Sequence, residues 1–193
     1  MNLEPDVYFR EEQRFHQPWL WALILIPTLG ITAGVIYVVL QQIVFGRPFG
    51  DEPLSDIGLL LLGALLIFIQ VALCWLFWAL RLETVLRKDG LFVRFHPFHR
   101  KPRRIPLEKM LSHSAVTYSP LWEYGGWGIR YSMKFKGKAY NVSGNRGVRI
   151  EFTNGKHILI GSNRADELNA AIPAVLAEAR QAAPSYRGPT LSP

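Results

Sequence analysis

The chain has 193 residues, 49% of them hydrophobic and 12% aromatic, with a formal net charge of +7. Its one cysteine, Cys74, excludes a disulfide framework within the chain. Residues 1–18 and 41–56 each carry a net −2, whereas residues 81–193 hold 19 Lys and Arg against 8 Asp and Glu, a net +11, so the basic character belongs to the C-terminal part alone.

Residues 1–18 are polar and mixed, and read as a short cytoplasmic surface arm with one amphipathic turn around Tyr8, Phe9 and Phe15. Residues 19–40 (WLWALILIPTLGITAGVIYVVL) and 57–80 (IGLLLLGALLIFIQVALCWLFWAL) carry no charge. The second run, 24 residues, makes a helix of about 36 Å, enough for a hydrocarbon core of roughly 30 Å. The first run lacks a positive leading region and a small-x-small cleavage site and is too long for a signal peptide, so it is expected to be retained. Together, residues 19–80 predict a transmembrane hairpin with an external loop at 41–56. That loop holds only Arg47, whereas Arg81, Arg87, Lys88, Arg94 and Arg100 follow the second run, which places both termini in the cytoplasm. Trp19 and Trp21 open the first helix and Trp75 and Trp78 close the second, so all four fall at one interface. Pro27, Gly30, Gly34 and Tyr37 share one face of helix one, and Gly63, Ile67, Gln70 and Cys74 one face of helix two. The glycines are expected to let the helices approach, with Gln70 bonding at the depth of Thr28 and Thr32. Cys74 reads as a small packing residue.

From residue 83 the pattern turns to short strands and tight turns. Strands are expected at 84–88, 91–95, 111–118, 127–133, 139–143, 148–153 and 156–160, with Asp89-Gly90 and Asn154-Gly155 as hairpin turns. A basic linker, Arg100-Lys101-Pro102-Arg103-Arg104, joins the second to the third. A C-terminal helix follows, capped at Ser162 or Asn163, with Leu168, Ile172, Val175 and Leu176 as its apolar stripe and a kink or early stop at Pro173. Residues 181–193 read as a disordered tail. About seven antiparallel strands and one helix predict a bent sandwich or open barrel covered by the helix, an α+β domain over 81–180.

RRIPLEKM at 103–110, EYGGWGIRY at 123–131, AYNVSGNRGVRIEF at 139–152 and KHILIGS at 156–162 carry a resemblance. The chain resembles the bacterial pleckstrin-homology-like (PH-like) domain membrane proteins, in the branch with a two-helix N-terminal hairpin, over roughly residues 57–176. The resemblance implies a fold and leaves activity open, because one fold hosts many functions.

Residues 119–128 (SPLWEYGGWG) crowd three glycines among aromatic side chains. Trp122, Tyr124, Gly125, Gly126 and Trp127 read as a partner-binding loop, and alternatively as a bulged strand with Trp127 in the core. Arg100, Lys101, Arg103 and Arg104 suit anionic lipid head groups or serve as a solvated orientation signal. Arg146, in SGNRG at 143–147, can stand over a backbone nest for an anion or merely occupy a hairpin turn. No metal-ligand spacing, nucleotide loop or hydrolase elbow is read, so neither catalysis nor a cofactor is expected. A basic domain beside a cytoplasmic membrane face needs no nucleic acid to explain its charge. The function expected is a non-enzymatic interaction or scaffold protein of the bacterial inner membrane, docking a protein partner or reading the lipid surface, with membrane lipids and a protein partner or homo-oligomer as its associates. The alternative is an accessory or regulatory subunit of a transporter or channel that works through the hairpin.

Overall fold

The computed structural model describes residues 6–132 and 137–182. The expected disordered tail lies outside the described residues from 183 onward, as does Met133 of the fourth expected strand. The chain divides into two units, residues 15–80 and a second made of the preceding segment with residues 81 onward.

In the first unit, α1 (Pro18–Val39) runs into a π-helical turn (Leu40–Val44), and α2 (Asp56–Ala79) returns. Pro18 opens α1, where a missing N–H is harmless, and Ser55 caps α2 by accepting the Gly58 N–H at 3.2 Å. Both helices are long and apolar enough to cross a membrane, and their outer faces stand exposed. The helices approach at Gly63, where an added Cβ would lie 2.9 Å from Val35 Cγ1. Gly30 and Gly34 have nothing within 4 Å, so the expected close approach at these two is not made; they lie on the other side of α1. Thr32 Oγ1 donates to Gln70 Oε1 at 3.1 Å, whereas Thr28 bonds its own helix at Ile24 O. The open end of the hairpin is held by Phe15 and Phe77 edge to face at 6.0 Å, and by Trp21 Nε1 donating to Phe15 O at 2.8 Å.

The described residues of the second unit form two sheets with a long C-terminal helix and short helical turns between strands. Sheet one is antiparallel in the order β1 (Val7–Arg14), β2 (Arg81–Arg87), β3 (Gly90–His96), β4 (Arg103–Ile105). Sheet two takes the order β5 (Met110–Thr117), β8 (Arg146–Phe152), β9 (His157–Gly161), β7 (Gly137–Asn141), β6 (Gly128–Ser132). The seven expected strands are there, with two more: β1, read as a surface arm, and β4, read as linker. One pairing also departs from the expected antiparallel pattern, since β7 runs parallel to β9. The connection from β7 to β8 therefore crosses β9, and residues 142–145 form a crossover instead of a hairpin turn.

Alternation builds the core. Leu82 and Leu86 of β2 and Leu91, Val93 and Phe95 of β3 point inward from sheet one, and Val148, Ile150 and Ile160 from sheet two, while Leu159, next to Ile160 in its strand, packs on the other face of sheet two with Ala139, Tyr118 and Tyr124. The C-terminal helix α4 (Ala165–Ala182) packs against β1 and β2 of one sheet and β5 and β8 of the other. It buries Leu168, Ile172 and Val175, and it continues past Pro173 without the expected early stop. A stripe three or four residues apart meets both sheets at once, which closes the open side of the core.

β1 is fastened to the end of β9. Glu11 accepts from Ser162 Oγ at 2.5 Å and from the Asn163 N–H at 2.9 Å, and Gln13 Nε2 donates to Gly161 O at 2.8 Å. These side chains occupy the inward positions where a strand usually carries apolar residues.

Candidate functional site

After β5 the chain enters a five-residue helix, α3 (Pro120–Tyr124). Proline at its first turn presets φ, Glu123 Oε1 accepts the Ser119 N–H at 2.7 Å, and Gly125 ends it at φ 71, a left-handed conformation that glycine adopts without Cβ strain. Tyr124 is a peg into the core, 4% exposed, with its ring edge to face against Tyr118 at 5.8 Å. Burial pushes the Tyr118 phenol up to about 12 and raises the Tyr124 phenol too, so both rings stay neutral. Glu123 is held beside Arg149 at 3.6 Å.

On the other side of this short helix Trp122 is 90% exposed, with Leu121 exposed beside it. Trp127 is half-buried and its Nε1 donates to Gly144 O at 3.3 Å, tying the loop to the 142–145 crossover. Gly125 is exposed, and Gly126 is buried at φ 120 against the Arg130 guanidinium. The expected group Trp122, Tyr124, Gly125, Gly126 and Trp127 is therefore divided. Trp122 faces solvent, Tyr124 is core, and the glycines and Trp127 fix the loop. Leu121 belongs with Trp122, although sequence reasoning passed over it. The helix was legible in a proline and a glycine five residues apart, the usual N1 and C′ residues. α3 contacts β6, which is an edge of sheet two and carries the exposed Arg130 and Tyr131.

Arg100, Lys101 and Arg103 are exposed, and no ion pair engages them among the described residues. Arg104 is committed elsewhere: it pairs with Glu108 at 3.1 Å and donates to Asp89 O at 2.7 Å. Arg146 pairs with Asp166 at 2.8 Å, in the first turn of α4, so its guanidinium is already engaged by a carboxylate. His99, just before the basic segment, is buried. Its Nδ1 accepts the Phe95 N–H at 3.2 Å and its ring meets Tyr140 edge to face at 5.8 Å.

Sequence reasoning missed a cavity of about 920 Å³ at one end of sheet two, lined by Lys109, Lys138, Lys156, His157, Tyr131 and Phe152 among others. No Asp or Glu lines it among the described residues, so its potential is positive. Lys138 lies over the rings of Tyr131 and Tyr140, at 5.1 and 4.7 Å. Only the β5–β8 and β7–β9 pairings bring these lysines together, and such long-range pairings leave no local signal.

The chain belongs to a family of unknown function (DUF6141), which it matches over residues 2–179. No curated protein and no solved structure matches it.

Proposed function

We propose that this chain is a membrane-anchored docking protein of the bacterial inner membrane. Its two-helix hairpin spans the bilayer, and its strand-rich cytoplasmic unit, of PH-like type, holds a protein partner on the Leu121–Trp122 knob. One observation carries the reading: a tryptophan exposed at 90%, on a helix rigidly pegged by Tyr124 and closed by Gly125. A large, stiff apolar ring held out to water without a partner is the residue type that dominates protein interfaces, since it offers contact area at low entropy cost. The adjacent β6 edge gives an extended partner segment a strand to pair with.

The membrane assignment draws support from topology as well as apolar length. Arg14 and Arg81, at the two ends of the hairpin, are register partners in sheet one. They therefore lie on one side of any bilayer, which requires an even number of spans between them. The Lys and Arg excess after residue 80 supports reading that side as the cytoplasmic one.

The test is site-specific photo-crosslinking in cells with the probe at Trp122. A discrete protein adduct, lost when Leu121 is changed to Asp, is the expected result. A second reading, in which the unit reads anionic lipid, is favoured by the unpaired Arg100, Lys101 and Arg103. A probe at Arg103 then gives lipid adducts that weaken steeply with salt, and silence at Trp122 sinks the docking reading.

A further inference from the structure

We propose that the lysine-lined cavity at the end of sheet two is a binding site for a phosphate-bearing organic ligand, a class that takes in both a soluble phosphate ester and a phospholipid head group.

Backbone pairing builds the cavity. β6 pairs with β7 so that Tyr131 stands across from Lys138, and β7 with β9 so that Gly137 stands across from His157. The Thr153 N–H donates to Lys109 O at 3.1 Å and the Phe152 N–H to Lys156 O at 2.9 Å, which brings the chain before β5 and the β8–β9 turn to the same end. Gly137 is required there, because a Cβ would run into the His157 ring. Lys138 and Tyr140 are two apart in β7 and share a face, so the Lys138 ammonium is held over the Tyr131 and Tyr140 rings.

Charge and size select the ligand. Lys109, Lys138 and Lys156 line the cavity, and no Asp, Glu or Arg does among the described residues. The acids beside this lining are engaged elsewhere. Glu108, next to Lys109, pairs with Arg104 at 3.1 Å, and Glu151, next to Phe152, accepts the Ser112 hydroxyl at 2.8 Å. No ion pair engages the three lysines among the described residues. Burial holds the His157 imidazole below its usual value, so at neutral pH the positive charge is that of the lysines alone. Ammonium groups gathered in one concave space repel one another until an anion enters, and a cleft of one sign concentrates its counter-ions. Lysine in place of arginine suits a phosphate. A rotatable ammonium is a point charge that meets the several oxygens of a tetrahedral group, with no flat fork to select a planar carboxylate. The volume of about 920 Å³ lies toward the upper end of the roughly 300–1,000 Å³ of small-molecule sites, so space remains for an organic part. Tyr131, Phe152 and Ile158 give that part an apolar wall.

The proposal is independent of the docking reading and of the lipid reading, because neither Leu121 and Trp122 nor Arg100, Lys101 and Arg103 line this cavity.

The full chain in maltoside micelles, which carry no phosphate, is labelled with an amine-acylating reagent, and the rate at each lysine is read by peptide mass spectrometry. One arm adds inorganic pyrophosphate and the other phosphatidylglycerol, with sodium chloride at matched ionic strength as the blank. Lys88, outside the cavity and paired with Asp6 at 2.9 Å, is the reference. With the probe at about ten times its dissociation constant, labelling of Lys109, Lys138 and Lys156 is expected to slow about ten-fold while Lys88 is unchanged. Slowing with pyrophosphate alone identifies a soluble ester, and slowing with phosphatidylglycerol a head group. Lys109→Gln and Lys156→Gln, both at exposed positions where the fold is kept, should each weaken binding about ten-fold. No slowing in either arm, equal slowing at Lys88, or unchanged binding in both glutamine variants would each overturn the proposal.

Discussion

Replacing Glu11 with Ala tests whether β1 belongs to the core. Glu11 is 8% exposed and gives both carboxylate oxygens to the segment after β9, at 2.5 Å to Ser162 Oγ and 2.9 Å to the Asn163 N–H. A hydrogen bond to a charged group contributes about 1.5–3 kcal/mol net, so the two together are worth about 3–6 kcal/mol. Part of that offsets the desolvation of the carboxylate, which the alanine no longer carries. The truncation also strands the Asn163 N–H, and we expect a net loss of about 2–4 kcal/mol. Glu12, its neighbour, points outward and pairs with Arg14 at 2.7 Å and Arg81 at 3.9 Å, both exposed. Such surface pairs contribute about 0–1 kcal/mol, so Glu12→Ala serves as the matched control. Pulse proteolysis in urea, on the full chain in detergent micelles, reads both. With a slope of roughly 2 kcal/mol per molar, Glu11→Ala should lower the midpoint by about 1–2 M and Glu12→Ala by about half a molar at most. Equal midpoints for the two variants would refute the role given to the buried carboxylate.

Tyr124→Ala should lower stability by about 3–5 kcal/mol, the cost of an emptied aromatic site, whereas Trp122→Ala should change it by no more than about half a kcal/mol in the same urea assay. The reverse pattern would mean that the assignment of peg and knob is inverted. Gly147→Ala should cost about 1–3 kcal/mol, because its Cβ would overlap the backbone carbonyl of Ile160, and a backbone in mid-sheet cannot step aside; Gly34→Ala, with open space around it, should be silent in the same assay. Burial, with the nearby Arg103 and Lys138 charges, holds the His99 imidazole below its usual 6.5, and burial does the same at His96 and His157. The unfolded chain then takes up protons at a pH where the folded one resists them. Stability is full above about 6.5 and is lost as pH falls through that value toward the folded-state values. A urea midpoint that drops from pH 7 to pH 5, with a shallower drop in His99→Gln, is expected, and a midpoint that rises on acidification would contradict the sign.

The legible parts of this fold are those whose signal is local. Uncharged runs long enough for a bilayer gave α1 and α2, and apolar alternation around Asp89-Gly90 and Asn154-Gly155 gave two hairpins. β1 was illegible because its inward positions after Phe9 are Glu11 and Gln13, which are buried only because Gly161, Ser162 and Asn163 receive them. An alternation of polar with polar residues looks like a solvated arm. β4 has three residues, two of them arginine, too short a run for any period to register. At the candidate site the aromatic and glycine content drew attention to the right segment. It could not separate Trp122 from Tyr124, because which of two aromatic residues points inward depends on the helical turn between them. The lysine-lined cavity depends on register between distant strands and had no signal of its own.

The missed strand also changes how the hairpin relates to the domain's folding. β1 is made first, and its partner β2 follows only after residues 15–80. Closing so long a loop by chance is entropically costly, and the cost grows with the logarithm of its length. The hairpin removes most of that cost, because α1 and α2 return the chain to where it began, with Phe15 against Phe77 at 6.0 Å. Once the hairpin has formed, Arg14 and Arg81 need only take up their register for the sheet to zip. The two apolar helices are thus an insertion within a single folding unit, flanked by adjacent strands. Hairpin formation therefore shortens the loop that must close before β1 can pair with β2.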